Sequence, residues 1–140
     1  MKLISSKLYA AITIGLLSAS IPAHAACNTD DVAGKWGFSG QGTEPASGIS
    51  YAIVGSFVLK PDGTGTGLMY RSSAVGFQPN IPMTLSDFTI NPLTCIATVT
   101  ISHSPSMSEQ KTIVFTNGGK AFKYINSTGL YVSFGEGQRL

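Results

Sequence analysis

The sequence predicts an all-β protein: an eight-stranded antiparallel up-and-down β-barrel carrying one disulfide. Three observations carry that expectation. Beyond residue 25 the chain breaks into eight short, fairly evenly spaced segments rich in β-branched and aromatic residues, with no sustained 3.6-residue period. The clearest of them, Thr94–Ile101, puts Cys95, Ala97, Val99 and Ile101 on one face and Ile96, Thr98 and Thr100 on the other, the pattern of a strand with one side on a core. Finally, the connections sort by length. Pro61-Asp62-Gly63, Asn91-Pro92-Leu93-Thr94 and Asn117-Gly118-Gly119 are tight, whereas 42–50, 73–82 and 103–110 are long. In a meander, alternate connections lie at opposite ends, so this sorting predicts a barrel closed at one end and open at the other. A Greek-key sandwich gives no reason for it.

The elements follow in chain order. Residues 1–25 read as a signal peptide: Lys2 and Lys7 give a positive start, Leu8 to Leu17 is a short apolar run, and Ala23-His24-Ala25 is a small-x-small cleavage site, with cleavage after Ala25. The run is too short to anchor a helix across a membrane. Residues 26–140 are then one domain, periplasmic or secreted. Strands are expected near Gly34–Gln41, Tyr51–Lys60, Thr64–Ser72, Met83–Ile90, Cys95–Ser102, Lys111–Thr116, Lys120–Asn126 and Leu130–Phe134. In the fourth, Met83 and Leu85 share one parity and Phe88 and Ile90 the other, which predicts a bulge between them.

Of nine Lys and Arg residues two lie in the leader, so the mature chain balances seven basic against seven acidic groups. No basic footprint for nucleic acid exists, and no membrane span is expected. About 115 residues suffice for one barrel-sized core. Cys27 and Cys95, in an exported chain, are expected to pair, closing a loop of about 69 residues; a free thiol or a metal ligand are the alternatives, and with His103 the only histidine after the leader they make a poor zinc set.

Gly34-Lys35-Trp36, opening the first strand after Asp30-Asp31-Val32-Ala33, resembles the Gly-x-Trp motif of the calycins, the superfamily of lipocalins, fatty-acid-binding proteins and avidins. The resemblance implies that Trp36 packs at the closed end, with Arg139 from the end of the last strand lying across it as a structural partner. Cys27, seven residues before the motif, is also similar to the start of avidins, but Trp36 is the only tryptophan, so the avidin pocket has no counterpart and biotin is not implied. More broadly the chain resembles small exported bacterial barrel proteins, a likeness that brings no site with it.

Motifs for chemistry are few. Gly63-Thr64-Gly65-Thr66-Gly67 is followed by a strand, whereas a phosphate loop needs a helix. Asp30-Asp31 lacks the ligand count of a calcium site. Asn126-Ser127-Thr128 is a glycosylation sequon by pattern, equally explained as hairpin-turn residues. A hydrolase triad would have to use His103, which sits among serines in an expected loop, and all seven acids read as turn or surface positions. No catalytic residue, cofactor or metal is assigned, and an enzyme is not the expected reading.

Binding rests on which residues the meander sends to the open end. Tyr51, Tyr70, Tyr124 and Tyr131 gather there with Arg71, Met83 and His103, and the apolar 73–82 connection adds Phe77, which reads as a lid or a partner patch. The expected ligand-binding set is Tyr51, Tyr70, Arg71, Phe77, Met83, Tyr124 and Tyr131, around a small, largely apolar ligand. The bland alternative makes the tyrosines rim fillers over an interior packed by Phe57, Phe88, Phe115, Phe122 and Phe134. Two further readings stay open: a protein-interaction module (protease inhibitor, adhesin or envelope component) using its loops on a filled barrel, and a barrel enzyme of the cyclase or isomerase type, for which Arg71, Asp87 and His103 are the candidate interior polar groups.

Overall fold

The computed structural model describes residues 27–104, 107–128 and 131–140. The expected signal peptide over residues 1–25, its cleavage site, and Leu130 at the start of the expected last strand lie outside the described residues. A one-turn helix, α1 (Thr29–Val32), leads into β1 (Gly34–Glu44), β2 (Ile49–Leu59), β3 (Gly65–Ser73), β4 (Gly76–Asn91), β5 (Ile96–Ser104), β6 (Met107–Thr116), β7 (Ala121–Thr128) and β8 (Val132–Arg139). Each strand pairs antiparallel with the next and β8 returns to β1, so the sheet closes into an eight-stranded up-and-down barrel. Among the described residues no helix is long and apolar enough to cross a membrane.

The strands are longer than expected at one end. Gly42, Thr43 and Glu44 pair with Tyr51, Ser50 and Ile49, and Ser72 and Ser73 with Phe77 and Gly76. The long connections at 42–50 and 73–82 are therefore mostly ladder, and so is the one at 103–110, since β6 begins at Met107. Glycine, serine and asparagine look like loop residues one at a time, but closing the barrel lets their backbone groups pair, and an unpaired N–H or C=O costs more than poor propensity. The open end thus rises as walls rather than as loops.

The expected bulge is present: the β4–β5 register shifts between Ser86 and Thr89, with Asp87 at φ 53°. The extra residue turns Phe88 and Ile90 onto the face already used by Met83 and Leu85. Cys27 and Cys95 form the disulfide, Cα atoms 5.2 Å apart, tying the chain ahead of α1 to the start of β5.

The closed end is built around Trp36, which is fully buried. Its indole N–H donates to the Val32 carbonyl at 2.9 Å, and its ring packs on Phe115 and Phe122 with centroids 5.6 and 5.3 Å away. The Arg139 guanidinium lies 5.9 Å from the indole ring and donates to the carbonyls of Asp31 and Ala33, so one side chain clamps α1 over the barrel base. Phe57 and Phe88 join the same aromatic layer, while Phe134 does not: it is 52% exposed, because its neighbours Ser133 and Gly135 take the inward positions of β8. The lower barrel is nearly full, with a residual void of about 40 Å³ above the phenylalanines.

Candidate functional site

Above that filled half, the barrel opens into a cup of about 350 Å³ lined by Tyr51, Ile53, Met69, Arg71, Gln78, Ile81, His103, Ser104, Met107, Glu109, Lys111, Tyr131 and Ser133. Three register shifts lie in the walls at this height, between Met69 and Arg71, Ser102 and Ser104, and Gln110 and Lys111. Bulges bend a strand and re-aim its side chains, which is why they gather at barrel rims.

The floor is an ionic network. Glu109 and Lys111 occupy alternate positions of β6, so both point inward, in line with Ile113 and Phe115 below them. They are 8% and 6% exposed. Oε1 of Glu109 lies 2.9 Å from the Lys111 ammonium and 3.0 Å from His103 Nε2, while Oε2 accepts from the Asn126 amide at 2.6 Å. Lys111 also donates to Ser133 Oγ at 3.0 Å and to Asn126 Oδ1. The Asn126 amide donates in addition to the Tyr131 carbonyl at 2.9 Å, tying β7 to the segment entering β8.

Burial alone would push the Glu109 carboxyl up, but the His103 hydrogen bond, the Lys111 charge and hydrogen bond, and the Asn126 amide outweigh it and hold the group down at about 2. Glu109 is therefore a carboxylate across the physiological range. The Lys111 ammonium is pushed below its ordinary value by burial, and Glu109 offsets only part of that. The two partners differ because the carboxylate has three donors, whereas the ammonium shares its one carboxylate with a histidine. Burial and the nearby Glu109 charge both raise the Tyr124 phenol. Burial also raises Tyr51, against a hydrogen bond with Ser133.

Arg71 stands on the opposite wall. Its guanidinium lies over the Tyr51 ring at 4.3 Å and the Tyr131 ring at 5.4 Å, and the two rings meet edge-on with centroids 5.9 Å apart. The ion pairs among the described residues both belong to Glu109, so Arg71 has no carboxylate of its own.

The expected binding set divides in three. Tyr51, Arg71 and Tyr131 line the cup. Met83 and Tyr124 are buried deeper, around the small void beneath it. Tyr70 and Phe77 lie on the outer surface, stacked on one another with centroids 6.3 Å apart, the Tyr70 hydroxyl donating to Asn80 at 3.0 Å. Alternation decides this: Arg71 faces in, so Tyr70 faces out, and Phe77, paired in the ladder opposite Ser72, is 63% exposed rather than a lid.

The surface reading of all seven acids is corrected at Glu109, and the loop reading of His103 by its place in β5. Of the three interior candidates for a barrel enzyme, Arg71 and His103 reach the cup, whereas Asp87 is exposed at the bulge. Glu109 and Lys111 were the functional-looking residues that sequence reasoning missed. The signal available was the alternation Glu109, Lys111, Ile113, Phe115, once the strand is allowed to start before Lys111. Among the described residues no three of His, Cys, Asp and Glu gather closely enough to hold a metal ion.

No protein-family model and no curated protein matches the chain. Among solved structures it is similar to a de novo designed fluorescence-activating β-barrel, at 15% identity over 80% of this chain and 96% of that one with a TM-score of 0.53. It is also similar to a redesigned β-barrel, mFAP1, bound to DFHBI, at 17% identity over 79% and 97% with a TM-score of 0.44. At 15% identity, the first likeness shows that this chain has the fold of a small eight-stranded antiparallel barrel.

Proposed function

We propose that the protein is an exported binding barrel that holds a small molecule in the cup at its open end, acting in the periplasm or outside the cell, and that it belongs with the calycin-type barrels of bacteria. The cup itself carries the reading: about 350 Å³ of space, with Ile53, Met69, Ile81, Met107 and two tyrosines among its walls and a few polar groups converging on it, in a barrel whose other half is nearly full. A barrel used only as a scaffold for protein contacts gains nothing from leaving that space unfilled. The floor network adds rigidity, since each charged group in it is held by several partners, so the cup is preformed and little ordering is needed on binding. The Gly34-Lys35-Trp36 start with Arg139 laid against the indole supports the calycin kinship.

The reading is tested by amide and methyl NMR of the disulfide-bonded protein against a library of small aromatic and aliphatic fragments. Shifts concentrated on Ile53, Met69, Ile81 and Met107 support it. A library that moves only outer-surface resonances overturns it. The second reading, a protein-interaction module, draws on the outer apolar pair of Tyr70 and Phe77 with Val75, which is 77% exposed. Shifts confined to that patch would favour it.

A further inference from the structure

We propose that the occupant of the cup is a small organic acid that carries its own hydrogen-bond donor, a hydroxyl or an N–H, close to the acid group. The inference rests on the binding reading and deepens it.

Charge within the cup gives the first half. The charged side chains lining it are Arg71, Glu109 and Lys111, with His103 beside them. Glu109 and Lys111 neutralise one another at 2.9 Å, which leaves Arg71 as an uncompensated cation between two tyrosine faces. Its Nε is shielded from water and has no hydrogen-bond partner among the described residues. A buried charged donor without an acceptor is a deficit that the barrel does not correct from within. A carboxylate corrects it, and the planar guanidinium is shaped for that partner.

The second half comes from His103. Its Nε2 faces the Glu109 carboxylate at 3.0 Å, and a carboxylate can only accept, so Nε2 carries the hydrogen. In the neutral ring Nδ1 is then an acceptor, and it too is buried without a partner. One wall of the cup therefore lacks an acceptor and another lacks a donor. A fatty chain ending in a bare carboxylate answers only the first, and a neutral alcohol only the second. A hydroxy acid, or an acid with an adjacent N–H, answers both once the two side chains turn toward it, while its apolar body lies on Ile53, Met69 and Ile81.

Three matched probes separate the terms: mandelate, which has acid and hydroxyl; phenylacetate, acid only; and 1-phenylethanol, hydroxyl only. Calorimetry and NMR titration at pH 8 should rank mandelate first, tighter than 1-phenylethanol by roughly tenfold or more and tighter than phenylacetate several-fold. Arg71→Met should erase the preference for acids and Arg71→Lys should keep part of it. His103→Phe should erase only the preference for the hydroxyl, leaving mandelate and phenylacetate equal. Arg71→Lys also shows whether the wall tolerates substitution at all. If the three probes bind the cup with equal affinity, or if Arg71→Met leaves the ranking intact, the inference falls while the binding reading stands. If none of the three moves a cup resonance, the inference falls as well, and a fragment library that also leaves the cup silent takes the binding reading with it.

Discussion

Lys111 Nζ stands 2.9 Å from Oε1 of Glu109, two residues away on one strand and facing the same interior. Two charges this deep are worth keeping only as a pair. Glu109→Gln leaves the ammonium buried beside neutral partners, and the expected loss is about 3–5 kcal/mol in unfolding free energy. Glu109→Gln with Lys111→Met removes both charges and should recover most of it. Urea denaturation of the two single variants and the double variant, read as a cycle, checks this; additive losses would show that the pair is not coupled.

Acid should unfold the protein through the same carboxylate. Glu109 titrates at about 2 when folded against an ordinary 4.5, so between those values the unfolded chain binds more protons. The stabilisation is complete above about pH 4.5 and is lost as the pH falls toward about 2; the gap caps it at roughly 3 kcal/mol. The expected result is a denaturation midpoint that drops steeply between pH 5 and pH 2 in the natural protein and more shallowly in Glu109→Gln. Parallel slopes would place the acid sensitivity elsewhere.

The disulfide between Cys27 and Cys95 spans a sequence separation of 68 residues. Replacing both cysteines by serine should cost about 4 kcal/mol by chain entropy, read as a fall in thermal midpoint of many degrees. Because the bridge holds the segment before α1, that variant should also expose the base first, seen as faster hydrogen exchange at the Trp36 indole than at the amides of β6.

Aromatic rings of the interior rest where glycines leave room. A Cβ added at Gly40 would collide with the Tyr124 hydroxyl and stand 2.8 Å from the Phe134 carbonyl. Gly40→Ala should therefore destabilise by about 1–3 kcal/mol, and Tyr124→Leu in the same chain should return part of the loss. Thermal melts of the single and double variants decide it.

Much of this architecture could be read from the residues, and the misreadings have physical causes. The Pro61-Asp62-Gly63 turn, the parity switch across Asp87 and the meeting of Trp36 with Arg139 are local or motif-borne signals, and each is where it was expected. The cup was misread at its upper rim. Segments such as Gly42-Thr43-Glu44 and Met107-Ser108-Glu109-Gln110 have loop-like composition and become strand only because a neighbouring strand supplies hydrogen bonds. A loop over 107–110 makes Glu109 a surface acid and removes the network that floors the cup, whereas the strand turns the same residue inward. Tyr70 and Phe77 failed for the related reason that counting residues to an end of the barrel does not say which face they occupy. Connector length, the cue that first suggested a meander, proved to be strand length instead.

Pairing of β8 with β1 brings Arg139 beside Trp36 and leaves Leu140 exposed at the base, a barrel's height from the mouth. A label, fusion or surface linkage placed after Leu140 would hold the protein by its sealed foot with the cavity turned toward bulk solution. Immobilised that way, the barrel presents its opening unobstructed to whatever is passed over it, which is the orientation a biosensor screen of small molecules requires.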